Sequence, residues 1–326
     1  RVNNVRLIET PSMPRNPVSP NVPFNLFGGS MAGLLLGLAA AVGREALDRT
    51  IRSPEDAEAS LGIPLIGVLP SSDASSGTYG RRARRRQVQQ ATSAIDFTAH
   101  DNPTSTFAEA ARAIRTNIVF SSPDRPIRKL LVTSAGAGEG KTTVACNIAI
   151  TMAQTGKRVL LVDCDLRRPR VHRIFKFENS AGLTGLLLDQ SDDPSPFVRE
   201  THIPSLFVLP SGVIPPNPSE LLHSQAFSDI LRSLMDRFDL IVIDSPPLMP
   251  VTDGAVLAPQ MDAVILVTRA LITTRASAQR AVQLLQTVGA NTLGTVLNAL
   301  NPDHGKGGYY YRTYEYSRRD ESTQST

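Results

Sequence analysis

A glycine-rich stretch that ends in lysine and threonine is the first part of this chain that could do chemistry. Residues 135–142 read AGAGEGKT and lie between the apolar run 129–134 and a helical pattern. The stretch differs from the phosphate-binding loop G-x-x-x-x-G-K-[ST] only in its first residue, which is alanine. Small residues let successive backbone N–H groups point inward, and the following helix directs its positive end at the same anion. We therefore predict a nucleotide-binding loop formed by Ala135, Gly136, Ala137, Gly138, Glu139, Gly140, Lys141, Thr142 and Thr143.

The groups needed to act on a bound nucleotide lie in this loop and after two other apolar runs. Lys141 is expected to reach the β- and γ-phosphates, and the Thr142 hydroxyl is expected to ligate Mg²⁺. Asp163 and Asp165 follow one run at a spacing that puts both on the same side, and Asp244 ends another. Asp244 is expected to help hold Mg²⁺. A further carboxylate is needed if the acceptor is a hydroxyl, because that hydroxyl must lose its proton.

The elements that position these residues alternate between apolar runs and amphipathic segments. Strands are predicted at 129–134, 158–163, 206–210, 240–244, 263–268 and 292–297, and helices at 218–238 and 275–288. Continuous apolar strands separated by helices are typical of a parallel sheet that is covered on both faces. Ligands of such sheets bind at the carboxyl ends of the strands, where the motifs lie. The predicted fold class is α/β, a P-loop NTPase with a mostly parallel sheet covered by helices.

One transmembrane helix is expected before this domain. Residues 24–43 contain no charged side chain, and twenty residues at 1.5 Å each reach about 30 Å, the thickness of a bilayer core. The alternative is a helix buried in a soluble core. Arginines are numerous at 44–86 and sparse at 1–23, and basic flanks favour the cytoplasmic side. We therefore predict an extracytoplasmic proline-rich stub at 1–23, and a juxtamembrane segment with a basic linker at 44–103. That linker would either contact anionic headgroups or act as a solvated tether.

The composition excludes several classes of protein. The chain has 34 Lys and Arg against 30 Asp and Glu, and a net charge of +4 over 326 residues does not indicate a nucleic-acid partner. Two cysteines, Cys146 and Cys164, are too few for a disulfide scaffold or a four-thiolate zinc site.

Several motifs together resemble the bacterial tyrosine kinases, membrane-linked P-loop enzymes that autophosphorylate and control exopolysaccharide or capsule production. Besides the AGAGEGKT loop, these are DCDLR at 163–167, IVIDSPP at 241–247, NPSELL at 217–222 and E-x-x-R-x-x-R-x-N-I at 109–118. The N-terminal stub and apolar segment resemble the end of the chain-length determinant (polysaccharide co-polymerase) domain that is fused ahead of such kinases. The resemblance places the P-loop kinase domain at 104–302.

The resemblance also implies roles for individual residues. Asp163 would be the base or would orient the acceptor hydroxyl, with a water-mediated contact to Mg²⁺, and Asp165 would assist it. Asn298 would lie near the adenine of ATP. Contacts between neighbouring subunits of a ring would be made by Glu109, Arg112 and Arg115.

The C-terminal tail, 303–326, holds five of the six tyrosines of the chain within eight residues. Adjacent tyrosines would face opposite sides of a strand and basic residues interrupt them, so the pattern disfavours a core strand. Glycines before the cluster favour a flexible tether that could reach the Asp163 of a neighbour. The alternative is an aromatic interaction tail. The predicted phosphoacceptors are Tyr309, Tyr310, Tyr311, Tyr314 and Tyr316.

The predicted function is that of an ATP- and Mg²⁺-dependent tyrosine autokinase at the bacterial inner (plasma) membrane, with its kinase domain in the cytoplasm. It would phosphorylate the tail in trans within a ring and regulate exopolysaccharide polymerisation and export. Its expected partners are other copies of itself, that polymerisation and export machinery, and a tyrosine phosphatase. One alternative is a partition or division-site ATPase, whose loop carries a lysine where this chain has Gly136. The other alternative is a scaffold in which ATP only stabilises assembly.

Overall fold

The computed structural model describes residues 21–71, 96–189 and 193–301, which divide into two compact units, 1–49 and 50–326. The first unit is described as one helix, α1 (Val22–Leu47). Within it, Val22–Arg44 is long and apolar enough to cross a membrane, and none of its apolar window is buried. By length and composition this stretch is a candidate membrane span. Most of the proline-rich stub lies outside the described residues.

A mostly parallel, eight-stranded sheet forms the centre of the second unit. Its strands are β1 (Leu65–Pro70), β2 (Lys129–Ser134), β3 (Val159–Asp163), β4 (Arg199–Glu200), β5 (Leu206–Leu209), β6 (Leu240–Asp244), β7 (Ala263–Arg269) and β8 (Thr292–Leu300). They lie in the order β1-β8-β7-β2-β6-β3-β5-β4, and only β4 is antiparallel to its neighbour. Every residue of β3 and β6 is buried, as expected for strands that are covered on both faces.

Helices cover both faces of the sheet. They are α2 (Pro54–Leu61), α3 (Thr98–Asp101), α4 (Thr106–Phe120), α5 (Lys141–Ala153), α6 (Val171–Ile174), α7 (Leu183–Asp189), α8 (Pro218–His223), α9 (Gln225–Met235), α10 (Asp253–Leu257) and α11 (Arg275–Thr287). Residues of α3 to α6 share a core with Leu130 and Val132 of β2, whereas α2 and α7 to α11 share the opposite core with Leu131. The predicted α/β fold class is confirmed.

The folded unit begins earlier than the predicted boundary at 104. Strand β1 pairs in parallel with β8 at the edge of the sheet, and the Asn117 amide of α4 donates to the carbonyl of Ile66 at 2.7 Å. Helix α2 is tied to α11 through Asp56, which accepts two hydrogen bonds from Arg275 at 2.7 and 2.9 Å. The prediction that all of 44–103 is juxtamembrane segment and linker was therefore wrong. A long polar stretch separates β1 from the other apolar runs, and its pairing with β8 is not visible in the local pattern.

Candidate active site

The predicted nucleotide loop connects the end of β2 to the start of α5. Gly138 and Gly140 have φ values of 79° and 94°, a left-handed backbone that strains other residues. A Cβ atom at Gly140 would also overlap the Asn298 side-chain nitrogen, which donates to the carbonyl of Glu139 at 2.9 Å. Asn298, at the carboxyl end of β8, thus packs directly on the loop.

The Glu139 side chain is buried and holds the loop in shape. Its Oε2 accepts from the backbone N–H of Gly136 at 3.0 Å, and its Oε1 accepts from the Thr273 hydroxyl at 2.6 Å. Burial raises the pKa of the Glu139 carboxyl, although these hydrogen bonds oppose the rise. The Arg269 guanidinium donates to the carbonyl of Gly138 at 2.8 Å. Sequence reasoning missed Arg269 and Thr273, because no motif marks the turn after β7.

Lys141 brings the loop and the carboxylates together. Its Nζ lies 2.8 Å from Oδ2 of Asp165 and 3.8 Å from Oδ1 of Asp244. Asp244 and Asp163 end neighbouring strands in register, which places them side by side. Burial alone would lower the pKa of Lys141, but the negative charges of Asp244 and Asp165 raise it overall. Lys141 is therefore a largely enclosed cation, with 13% of its side chain exposed, that is held in its charged form, and Asp165 positions it.

Asp163 is a buried carboxyl group whose pKa is raised to about 8, first by burial and then by the negative charge of Asp244. Its Oδ2 accepts from the backbone N–H groups of Arg170 and Val171 at 3.1 and 3.0 Å. Its Oδ1 accepts only from the backbone N–H of Asp165, at 3.2 Å, among the described residues. One lone pair of Oδ1 is therefore available for a further donor.

Asp244 is the side chain that best fits a magnesium ion. Both of its carboxylate oxygens are buried and make no close hydrogen bond in the described part of the chain, although the Thr142 hydroxyl and Nζ of Lys141, at 3.8 Å, lie beside them. Burial raises the pKa of the Asp244 carboxyl despite the nearby charge of Lys141. Across residues 21–71, 96–189 and 193–301, no group of three His, Cys, Asp or Glu side chains is arranged to hold a metal. A magnesium site needs only one or two carboxylates, because Mg²⁺ fills the rest of its shell with phosphate oxygens and water.

Asp96 is a site-proximal residue that the sequence analysis missed. Its side chain is 1% exposed, and its two oxygens accept from the Thr143 hydroxyl at 2.6 Å and from the Arg170 guanidinium at 2.8 Å. Thr143, predicted to bind nucleotide, thus directs its hydroxyl to Asp96. Asp96 lies in the segment predicted as linker, where no motif surrounds it. The three side chains join that segment to α5 and to the loop that holds Asp163.

Replacing Asp96 by alanine should destabilise the domain by about 2 kcal/mol, because the buried Thr143 hydroxyl loses its acceptor and the partly exposed Arg170 guanidinium loses its partner. The matched control is Asp229→Ala, which removes an exposed i,i+3 pair with Arg232. That change should cost less than about 1 kcal/mol. Urea unfolding of both variants measures the difference. Equal free energies of unfolding for the two variants would show that Asp96 stabilises the domain no more than a surface carboxylate does.

The predicted subunit-contact residues all lie on α4. Arg112 Nη2 lies 2.6 Å from Oε1 of Glu109, and Arg112 also donates to the carbonyl of Pro103 at 2.5 Å. Arg115 donates to the carbonyl of Thr151 at 3.2 Å. These are contacts within one chain, so the ring interface stays a prediction. The predicted phosphoacceptors at 309–316 lie outside the described residues.

The fold and the site define a P-loop NTPase, and the AAA domain family matches residues 128–295. The putative tyrosine-protein kinase CapB of Staphylococcus aureus is 40% identical over 212 residues, 65% of this chain and 92% of CapB. The tyrosine-protein kinase Etk of Escherichia coli K12 is 31% identical over 92% of this chain and 41% of Etk. The solved kinase domain of E. coli Etk has a TM-score of 0.69 and 31% identity, covering 78% of this chain and 97% of that domain.

The chain belongs to the bacterial tyrosine-protein kinase family. The resemblance inferred from its motifs is confirmed, and the kinase interpretation is favoured over the partition-type ATPase. The chain spans less than half the length of Etk and of the putative tyrosine-protein kinase EpsB of Ralstonia solanacearum, of which it covers 42%.

Proposed function

We propose that this protein is an ATP-dependent tyrosine autokinase that phosphorylates the C-terminal tyrosines of a neighbouring copy. The observation that carries the proposal is the buried arrangement in which Lys141 contacts Asp165 and Asp244 while the high-pKa carboxyl of Asp163 lies beside them. The cation suits the phosphates of ATP, and the extra carboxyl suits an acceptor that carries a proton. The absence of a lysine at Gly136 supports this function over that of a partition-type ATPase.

Each group has a defined task in this mechanism. The loop amides would cradle the phosphates, and Lys141 would exchange Asp165 for phosphate oxygens as ATP binds. Thr142 and Asp244 would hold Mg²⁺, which neutralises charge on the phosphates when it is bound. Oδ1 of Asp163 would accept the tyrosine proton. It would do so in its ionised form, which the positive charge of Lys141 and that of a bound Mg²⁺ favour over the neutral acid. Once ionised, a carboxylate with a raised pKa is a stronger base than an ordinary aspartate.

The proposal extends to assembly and location. The unburied apolar helix α1 supports attachment to the bacterial inner membrane, with the kinase domain in the cytoplasm. Regulation of exopolysaccharide polymerisation and export, and reversal by a tyrosine phosphatase, rest on the family resemblance. A ring of copies would bring each tail to the Asp163 of a neighbour, and the α4 residues would join the copies.

Changing Arg112 and Arg115 together to alanine should convert the ring to monomers while ATP binding persists, because both lie away from the nucleotide loop on α4. Analytical ultracentrifugation of the full chain in detergent measures the change. Arg280→Ala, an exposed arginine on α11, is the matched control. A thermal melt checks that the loss of the Arg115–Thr151 hydrogen bond leaves the domain folded. An unchanged sedimentation coefficient in a folded double variant would contradict the interface.

Incubation of the full chain with ATP and Mg²⁺ tests the function directly. A tyrosine autokinase produces phosphotyrosine in step with ADP. Steady ADP release without phosphotyrosine would instead identify an ATPase, and the absence of both products would identify a scaffold. Mass spectrometry then assigns each phosphate to a tyrosine.

A further inference from the structure

A basic cavity of about 440 Å³ adjoins the loop that follows β3, and the mechanism above does not use it. Its lining includes four arginines and two apolar side chains, which are Arg167, Arg168, Arg170, Arg173, Pro169 and Ile214. The volume lies in the range of small-ligand sites, about 300–1,000 Å³. This lining suits a ligand that is anionic at one end and apolar elsewhere, and His172 and Asn179 offer further polar contacts.

Two of these arginines are already neutralised by carboxylates. Arg167 donates to Asp253 at 2.7 and 3.1 Å, and Arg170 donates to Asp96 at 2.8 Å. Arg168 and Arg173 are exposed and have no ion-pair partner among the described residues. The cavity therefore presents two uncompensated guanidinium groups, which can bind a phosphoryl group through paired N–H donors.

The wall of the cavity is continuous with the candidate base. Asp163 accepts hydrogen bonds from the backbone of Arg170 and Val171, and Asp165 accepts one from the backbone of Arg168 at 3.0 Å. A ligand in the cavity would thus contact the same loop that holds the carboxylates of Asp163 and Asp165. Asp165 in turn positions Lys141. This placement suits a subsite for the acceptor segment, close to the residue that would receive its proton.

We propose that this cavity binds a phosphotyrosine in the tail of another copy while a second tyrosine of that tail occupies the site at Asp163. This inference rests on the proposed function. Arg168 and Arg173 would hold the phosphoryl group, and Pro169 and Ile214 would contact the ring. The chemistry of transfer is unchanged, since the first phosphate serves only as a recognition element for the next acceptor.

The spacing of the tail tyrosines agrees with two adjacent subsites. Tyr314 and Tyr316 are two residues apart, as are Tyr309 and Tyr311. In an extended segment such pairs face the same side, about 7 Å apart. One phosphate would therefore retain the tail while its partner tyrosine is presented to Asp163. Phosphorylation within each pair would proceed faster for the second tyrosine than for the first.

Peptide binding to the full chain in detergent tests the proposal. The chain carries phenylalanine at its own five tail tyrosines, and a non-hydrolysable ATP analogue with Mg²⁺ fills the nucleotide site. The probes are fluorescent peptides of residues 305–318 with no phosphate, with phosphate at Tyr314 only, or with phosphate at Tyr316 only. Fluorescence anisotropy measures the affinity of each peptide for the chain with the unchanged cavity and for the variants Arg168→Ala, Arg173→Ala and the control Arg232→Ala. Inorganic phosphate serves as a competitor.

At least one phosphorylated peptide should bind ten times more tightly than the unphosphorylated one, and each cavity variant should remove most of that gain. Arg232→Ala should retain it, and inorganic phosphate should compete only at far higher concentration. Equal binding of all three peptides, or a gain that survives both cavity variants, would overturn the proposal. If inorganic phosphate binds the cavity with the same affinity as the phosphorylated peptide, the proposal is also overturned, because the cavity would then be a general anion site. The ATP assay above reports on the proposed function separately, since phosphotyrosine formation does not depend on the peptide result.

Discussion

Lys141→Met should lower tail phosphorylation by about a thousandfold or more. The side chain is the largely enclosed cation beside the nucleotide loop, and losing one positive group at a site of developing charge costs on the order of 10²–10³ in rate or more. Methionine keeps the length of the side chain, so packing is largely preserved. Phosphotyrosine formed per minute, followed by immunoblot and mass spectrometry, measures the effect.

The variant also removes the charge that balances Asp163, Asp165 and Asp244. Some loss of stability is therefore expected, and a thermal melt must show that the chain is folded at the assay temperature. Lys157→Met is the matched control, because Lys157 is exposed and lies outside the site. Phosphotyrosine at the unchanged level in a folded Lys141→Met chain would refute the assigned site.

Changing all five tail tyrosines to phenylalanine should remove at least nine-tenths of the phosphotyrosine. Phenylalanine preserves the ring and removes only the hydroxyl, so an aromatic interaction tail would keep its contacts while a phosphoacceptor tail would lose its function. ADP formation coupled to phosphorylation should fall in parallel. Quantitative mass spectrometry after incubation with ATP and Mg²⁺ measures the loss.

The remaining tyrosine of the chain provides the control for this change. Tyr79→Phe leaves the tail intact and should keep nearly all of the label. If the five-phenylalanine chain stays labelled and Tyr79→Phe loses its label, the acceptor is Tyr79, outside the tail, and the tail assignment fails.

The fold was largely predictable because its central strands are short apolar runs that end in recognisable motifs. The loop at 135–142, Asp163 and Asp244 identified the carboxyl edge of the sheet, and the structure brings them to one site. Helix 218–238 was predicted as one segment but forms α8 and α9. The break lies at Ser224, which has extended backbone angles and caps α9 through its hydroxyl.

What escaped prediction depends on contacts between residues far apart in the chain. Strand β1 joins the sheet through β8, and β4 is only two residues long. Asp96 reaches Thr143 and Arg170 across 47 and 74 residues, and Thr273 reaches Glu139 across 134. Such pairs leave no local period in the sequence, and Asp96 and Thr273 belong to no motif, although their partners Thr143 and Glu139 lie in the nucleotide loop.

The turn after β7 connects the start of the second unit to the nucleotide loop. The backbone N–H of Ile51 donates to the carbonyl of Thr273 at 2.9 Å, and the hydroxyl of that threonine donates to Glu139. The polypeptide thus enters this unit only two hydrogen bonds from the loop that would hold ATP. A pull on the chain at Thr50 would therefore act on Thr273, the residue that holds the side chain of Glu139 in place.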